Sequence, residues 1–348
     1  MTSVLAGPLS AINYAEPWYV QIIKALLIFA IGFSLVPLVL LYERKLLGRF
    51  QGRPGPNRVG IYGSMQPLAD IGKLLFKEQF KPRGAIGWLF IAAPLISMVA
   101  ALATFPLIPF SGAPQEILGT KVGLYGLDSD IGLLIFFAFS AIGSYGILLG
   151  GWSSTSKYSF LGAMRGAAQL ISYEAAQGLA LLGVVMTTGS LSLSEIVDKQ
   201  DHMGLWFLVP QIVGAFIFFV ATLAEINRTP FDLLEADSEL VGGFMTEYGG
   251  GRFALYYVAE YVHLVVAGAM FSTLFLGGWN IPFWNGAPGF LDPFVVLAKT
   301  LVIVSIIIWI RATLPRLRYD QLMSFGWKIL LPLATLNALV TAIVLVAL

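Results

Sequence analysis

Residues 254–278 read ALYYVAEYVHLVVAGAMFSTLFLGG, and this run decides the fold. It is long enough to cross the hydrocarbon core of a bilayer, which needs about 20 apolar helical residues. Its ionisable groups are few, notably one carboxylate, Glu260, and one histidine, His263. Irregular backbone cannot face lipid without leaving its amide groups unpaired, so such a run predicts a transmembrane helix.

Similar apolar runs recur along the whole chain. Hydrophobic residues make up 57% of the 348 residues and charged residues only 12%, about half of the ~25% charged share in soluble domains. The predicted spans are 18–42, 86–110, 131–152, 166–189, 205–226, 254–278, 294–313 and 328–348. We therefore predict an all-α, polytopic membrane protein of about eight transmembrane helices, forming a single membrane domain over residues 1–348.

Basic residues set the expected orientation. Of the 21 Lys and Arg residues, 17 lie in or beside alternate connections between spans, and basic loops are retained on the cytoplasmic side. The inner loops are therefore 43–85, 153–165, 225–253 and 312–327, and both termini are expected in the periplasm. The segment before the first span has no basic residue, which is unlike a cleavable signal peptide, so we expect this span to be retained.

The first inner loop contains an amphipathic run at residues 65–80. Leu68, Ile71 and Leu75 share one helical face, and charged residues occupy the other. This pattern predicts an interfacial helix lying along the membrane surface. The alternative is a surface helix that only anchors the loop.

Composition excludes several kinds of site. The chain has no cysteine, so it holds no disulfide, thiolate nucleophile or cysteine-bound iron-sulfur cluster. Two histidines, His202 and His263, argue against a transition-metal site, and His263 alone is expected to be a packing residue. A net charge of +1 gives no basic field for nucleic acid. The glycine-rich first loop lacks the Gly-Lys-Ser/Thr ending of a phosphate-binding loop.

Carboxylates near the inner face are the candidate functional groups. An ionisable side chain inside a membrane costs about 2.5–3.5 kcal/mol on insertion scales, so it indicates a function. Four such acids reach a similar depth from four helices: Glu43, Glu174, Glu225 and Glu260. The segment after span 5 adds Asp232, Glu235, Asp237, Glu239 and Glu247, against Arg228 and Arg252. Close carboxylates titrate as a coupled set, which suits proton relay. The structural alternative is that each acid is neutralised by an arginine or by backbone groups.

Four inner segments carry a resemblance to a known family. They are ERKLLGRFQGRPGPNRVGIYGSMQPLADIGKLLFKE (43–78), RGAAQLISYE (165–174), AEINRTPFDLLEADSELVGGFMTEY (224–248) and RATLPRLRYDQLMSFGWKILLP (311–332). Together they resemble the H-subunit family of bacterial NADH:quinone oxidoreductase, whose mitochondrial counterpart is NADH dehydrogenase subunit 1 of respiratory complex I. Ile226 stands where threonine is expected, and Asp237 where glutamate is common; both leave the charge pattern intact.

The resemblance implies an enzyme subunit of a proton-pumping translocase, without a complete redox site of its own. Quinone would be the substrate, with ubiquinone favoured over menaquinone, and no metal or iron-sulfur cluster would be bound. The implied partners are the peripheral iron-sulfur and quinone-site subunits, the small membrane subunits leading to antiporter-like subunits, and lipids, but no nucleic acid. The implied location is the bacterial cytoplasmic (inner) membrane, or the mitochondrial inner membrane in a eukaryote.

The resemblance also assigns residues. It implies a proton relay of Glu43, Glu174, Glu225, Asp232, Glu235, Asp237, Glu239 and Glu260. The implied quinone-chamber residues are Arg44, Arg53, Asp70, Lys73 and Arg228, with no metal ligand and no covalent catalyst.

Three alternatives stay open at the level of sequence. A cation- or proton-coupled secondary transporter also needs intramembrane acids, although its site usually lies near the bilayer midplane. The related membrane subunit of an energy-converting hydrogenase shares part of the pattern. A scaffold that only docks a peripheral arm would explain the long inner loops but not the buried acids.

Overall fold

The computed structural model describes residues 18–112, 115–117, 120–234, 237–281 and 289–347. The helices are α1 Trp18–Phe50, α2 Gln66–Phe76, α3 Gly87–Thr104, α4 Gly132–Ser153, α5 Lys157–Thr188, α6 Leu193–Met203, α7 Ile212–Glu225, α8 Asp237–Leu240, α9 Gly250–Phe275, α10 Asp292–Thr313, α11 Tyr319–Phe325 and α12 Leu331–Ala347. A π-helical turn, Gly326–Leu330, joins α11 to α12. Strands β1 Gln115–Ile117 and β2 Thr120–Val122 form a small antiparallel hairpin.

The helices confirm a polytopic membrane protein. Seven of those described are long and apolar enough to cross a bilayer, counting α11 to α12 as one, and α7 is a shorter apolar helix. The end of the bundle where α1 and α10 end, and where α5 and α9 begin, carries the Lys- and Arg-rich connections; we call it the basic end. The sequence patterns do not predict the hairpin or α6, an amphipathic helix that buries Leu193, Ile196 and Val197.

The fifth predicted span, 205–226, is helical only from Ile212. Pro210 lacks a backbone donor and disfavours helix in the residue before it, and the chain forms turns there instead. At 14 residues, α7 is about 21 Å long, which is shorter than the ~30 Å hydrocarbon core. The chain that follows α7 is therefore irregular backbone packed inside the protein, where such backbone is tolerated.

Helix α9 is the centre of the bundle and the most buried of the candidate spans. Side chains on all of its faces are buried between Tyr261 and Phe275. Gly268 lets α10 approach closely, because a Cβ there would lie 3.2 Å from the Thr300 carbonyl oxygen. Small residues at such crossings are typical of membrane helix packing. The polar side chains of α9 therefore face other helices inside the bundle.

Helix α2 matches the predicted amphipathic helix. Its apolar side chains stay largely exposed, with Leu68 58% and Leu75 61% accessible, while its other side contacts α9 and α1. A soluble surface would not leave this apolar face uncovered. The geometry suits a helix that lies in the membrane interface at the basic end.

Lys299 of α10 closes the opposite end of α9. Its ammonium donates hydrogen bonds to the carbonyls of Leu276 at 2.7 Å, Gly278 at 2.7 Å and Asn280 at 2.5 Å. It also lies 4.9 Å from the centre of the Trp206 ring. Carbonyls at a helix C-terminus lack intrahelical partners and favour a cation. The Lys299 side chain therefore caps the C-terminal end of α9.

We expect Lys299→Met to destabilise the protein by on the order of 3 kcal/mol, since hydrogen bonds to charged groups contribute roughly 1.5–3 kcal/mol each. The thermal dissociation temperature of the purified protein in detergent measures this effect. The control is Lys199→Met, because Lys199 is exposed on α6 and should change little. Equal temperatures for the two variants would contradict the capping role.

Candidate functional site

Arg228 lies at the centre of a buried ion-pair group. Its side chain is 4% exposed and lies 2.8 Å from Glu43 Oε1 through Nη1 and 2.9 Å from Glu260 Oε1 through Nε. Arg311 of α10 contacts the same oxygen of Glu43. Burial alone would lower the pKa of Arg228, but Glu260 and Glu43 more than offset this, so the pKa is raised and the guanidinium stays charged.

The short α7 explains how Arg228 reaches the interior. After Glu225 the chain turns back through Asn227, which adopts a positive φ of 54°. The Gln169 side chain of α5 then clamps the turn, donating to the carbonyls of Ala224 and Phe231 at 2.8 Å each. The guanidinium is thereby held in the interior, and it also packs 4.8 Å from the centre of the Tyr261 ring.

Glu225 forms the second acidic group. Ser140 of α4 donates to one carboxylate oxygen, and Gln177 of α5 donates to the other at 2.9 Å. Gln177 also lies 3.1 Å from the Thr222 hydroxyl. Among the described residues, hydrogen-bond donors rather than a cation contact this acid. Its surroundings therefore differ from those of Glu43, which contacts two guanidinium groups.

Two further acids lie within electrostatic range of these groups. Glu174 interacts with Glu225, and Asp232 interacts with Glu260. Like charges this close favour sharing of protons among the acids. Glu43, Glu174, Glu225, Asp232 and Glu260 therefore form one convergent set.

A cavity of about 70 Å³ lies between the two acidic groups; we call it the polar cavity. Its wall includes Glu225, Glu260 and His263, with the hydroxyls of Ser97, Ser140 and Ser144. A cavity needs roughly 10–15 Å³ of water-accessible volume to hold one water, which in turn needs two to four polar partners. The polar cavity therefore has room for several waters between the carboxylates.

Tyrosines connect the ion-pair group to α2. The hydroxyls of Tyr257 and Tyr261 lie 3.3 Å apart. Tyr261 interacts with Arg228, and Tyr257 interacts with Arg44. Arg44 in turn pairs with Asp70 of α2, whose other oxygen accepts a 3.0 Å hydrogen bond from Gln66. A continuous polar path thus runs from the interfacial helix to the buried acids.

The remaining predicted residues lie elsewhere. Arg53 is exposed and bonds Gln51 at 2.8 Å, and Lys73 is exposed on α2. Glu239 is 46% exposed and pairs with Arg165 at 2.6 Å, away from the buried set. Glu235 and the side chain of Asp237 lie outside the described residues.

Sequence reasoning missed several members of the site. Arg311 had a signal, because it is a base at the inner end of an apolar span. Ser140, Gln177, Tyr257 and Tyr261 had none, since neutral polar residues are common in membrane helices. Within the described ranges no group of three or more potential ligands could hold a metal ion.

Comparisons with known proteins identify the family that this sequence resembles. The family model for NADH dehydrogenase matches residues 23–342. The second of the NADH-quinone oxidoreductase H subunits of Geobacter sulfurreducens is 51% identical over 323 residues, covering 92% of this chain and 95% of the relative. The H subunit of the same enzyme from Syntrophotalea carbinolica is 50% identical over 321 residues, with 92% and 94% covered. That of Burkholderia vietnamiensis is 42% identical over 345 residues, with 96% and 94% covered.

We expect Arg228→Met to cost about 3–5 kcal/mol, because it leaves Glu260 without its cation and leaves buried Glu43 with Arg311 alone. The yield and thermal stability of the protein in membranes measure this loss. Arg228→Lys keeps the charge, but an ammonium group lacks the planar guanidinium geometry that pairs with both acids. Its stability should therefore lie between those of the wild type and Arg228→Met. The control is Arg318→Met, whose side chain is 77% exposed. A wild-type yield and stability for Arg228→Met would contradict the analysis.

Proposed function

This chain belongs to the NADH dehydrogenase family, that of the H subunits of NADH-quinone oxidoreductase, and from this we propose how its buried acids serve the enzyme. It is a membrane subunit of respiratory complex I, and it acts as part of an oxidoreductase rather than alone. We propose that it forms part of the chamber where quinone is reduced. We propose further that its convergent carboxylates carry protons in response to that reduction.

One observation carries this proposal. The ion pairs of Arg228 with Glu43 and Glu260 are joined through Tyr261 and Tyr257 to Arg44 and Asp70 at α2. Helix α2 exposes an apolar face suited to the membrane interface, where a lipid-soluble quinone can enter. A chemical change near α2 would therefore act on the buried acids through a short polar path.

The coupling follows from electrostatics. Reduction of a quinone by two electrons creates negative charge and a demand for two protons. Without cysteine this chain holds no cysteine-bound iron-sulfur cluster, and we propose that the electrons come from another subunit. A new unit charge ~10 Å away changes a proton's free energy by about 1.7 kcal/mol at an effective dielectric of ~20, a little over one pKa unit. Such a change shifts proton occupancy within the acidic set.

The chamber and the relay use different residues. Arg44 and Asp70 are the proposed chamber groups, which their ion pair and the interaction of Arg44 with Tyr257 support. Arg53 and Lys73 are further candidates on the exposed surface. Arg228 connects the two. The relay proper comprises the convergent set of Glu43, Glu174, Glu225, Asp232 and Glu260. Glu235, Asp237 and Glu239 are proposed as outlying members on the basis of the resemblance.

The finer expectations are also proposals. We place the chain in the bacterial cytoplasmic membrane with both termini in the periplasm, because the basic end would then face the cytoplasm. The partners would be the peripheral iron-sulfur and quinone-site subunits at that end, and the membrane subunits leading to the antiporter-like subunits. Ubiquinone is placed ahead of menaquinone, and extraction of the quinone from the purified complex distinguishes the two.

A pure docking scaffold is the competing function, and the carboxylates separate it from a relay. We expect Glu225→Gln and Glu260→Gln each to lower NADH-driven proton pumping by about 100-fold, the scale of a lost acid-base group. Inverted membrane vesicles containing the assembled complex measure it. The control is Glu78→Gln, an exposed acid at the same end. Wild-type turnover and pumping in both variants would leave only the scaffold.

The chamber is tested at Arg44. We expect Arg44→Met to raise the KM for quinone about ten-fold, equivalent to ~1.4 kcal/mol, with little change in NADH oxidation by a soluble acceptor. The control is Arg58→Met, because Arg58 is exposed in the same loop. Photoaffinity labelling by a quinone analogue should mark α1 and α2, and labelling confined to the opposite end would contradict an inner chamber.

A further inference from the structure

His263 lies where the two acidic groups face each other. It is one turn beyond Glu260 on the same face of α9, since residues three apart are neighbours on a helix. The ring lies deep in the bundle, yet it keeps some accessible surface. Internal cavities account for that surface, because His263 contributes to the walls of two of them.

The second cavity, the small cavity, has a volume of about 10 Å³, roughly one water. Polar residues Thr222, Glu225 and His263 bound it, together with apolar residues of α4, α7 and α9 such as Phe136 and Val266. Glu225, Ile226 and His263 line both the polar cavity and the small cavity. Glu225 and His263 are the two of these three whose side chains can exchange a proton.

The imidazole has no hydrogen bond or ion pair to any described residue. A buried polar group without a partner is costly, so packing does not explain its presence. Glu225 already accepts from Ser140 and Gln177, and Glu260 pairs with Arg228. Water in the two cavities can therefore supply the hydrogen-bond partner of the His263 ring.

The two acidic groups need a link. Glu260 and Glu225 have no hydrogen bond to each other, and the polar cavity lies between them. The helices around the cavity contribute hydroxyls from α3 and α4, Glu225 from α7, and Glu260 with Tyr256 from α9. The serine hydroxyls do not titrate near neutral pH, whereas an imidazole does.

We propose that His263 carries protons between Glu260 and Glu225, an inference that rests on the proposed relay. Through water, the acid form of Glu260 protonates the ring nitrogen that bears no hydrogen, leaving a carboxylate and an imidazolium. The imidazolium then gives the proton on its other nitrogen to the Glu225 carboxylate. One proton has moved, no electron has moved, and the ring ends neutral in its other tautomer.

The ring must then turn over to repeat the step. Gly143 of α4 provides room, because a Cβ there would lie only 3.4 Å from Nε2 of His263. The Gly143 carbonyl accepts a 3.3 Å hydrogen bond from Ser97, which fixes the backbone beside the ring. A half-turn about the Cβ–Cγ bond, or exchange with the cavity waters, restores the starting tautomer.

The test compares the two histidines of the chain within the assembled complex. We expect His263→Gln and His263→Asn, which stay polar but carry no proton, to lower NADH-driven proton pumping in membrane vesicles by about 100-fold. NADH oxidation by a soluble acceptor should be unchanged, which shows that the NADH-oxidising part of the complex is intact. His202→Gln is the matched control, since His202 is exposed on α6.

Chemical rescue separates proton transfer from packing. Added imidazole should raise the pumping rate of His263→Ala at least ten-fold. The increase should be largest at the pH where the neutral and protonated forms of imidazole are present in equal amounts. Wild-type pumping in both His263→Gln and His263→Asn, or a His263→Ala loss that imidazole does not restore, overturns the role of His263. If Glu225→Gln and Glu260→Gln lose pumping while the His263 variants keep it, the relay stands without His263. If those carboxylate variants pump normally, the relay itself fails.

Discussion

The buried guanidinium of Arg228 is the constraint on which the rest of the site depends. Two carboxylates from distant helices, Glu43 of α1 and Glu260 of α9, cannot stay ionised together in a membrane protein without a cation between them. Arg228 supplies it from irregular backbone inside the bundle, which the short α7 makes possible. Burial costs each charge several kcal/mol that attraction only partly returns. This ion-pair group is costly to bury, and Tyr261 and Tyr257 connect it to Arg44 near the surface. Both features favour a functional role over a purely structural one.

The same arrangement separates two kinds of acid. Glu43 contacts the guanidinium groups of Arg228 and Arg311. Within the described part of the chain, Glu225 meets hydroxyl and amide donors, which stabilise a carboxylate less than a full charge does. Acids whose surroundings differ in this way have different proton affinities, and a proton moves readily only between groups whose affinities a nearby event can reorder. The set therefore contains both cation-paired and dipole-paired carboxylates.

The sequence predicts much of this fold and only part of the site. Apolar length identifies the spans, because the bilayer imposes one thickness on all of them, and the period of Leu68, Ile71 and Leu75 identifies α2. Apolar length overestimates the length of the fifth span, because hydropathy does not detect the turns around Pro210. Charge inside the membrane identifies the acids, but neutral partners such as Gln177 and Tyr257 carry no such signal. Their roles depend on which helix faces meet, and a one-dimensional pattern does not contain that information.

His263 shows why partners matter more than residue type. In sequence it is one histidine in an apolar run, for which packing is the simpler interpretation. In the fold it lacks any partner among the described residues and borders two cavities with Glu225. An apolar side chain of similar size would fill the same space without an unpaired polar group, and would be favoured if stability were the only requirement. The site therefore accepts a cost in stability where two acidic groups approach, and water-sized cavities at that point give the imidazole a use.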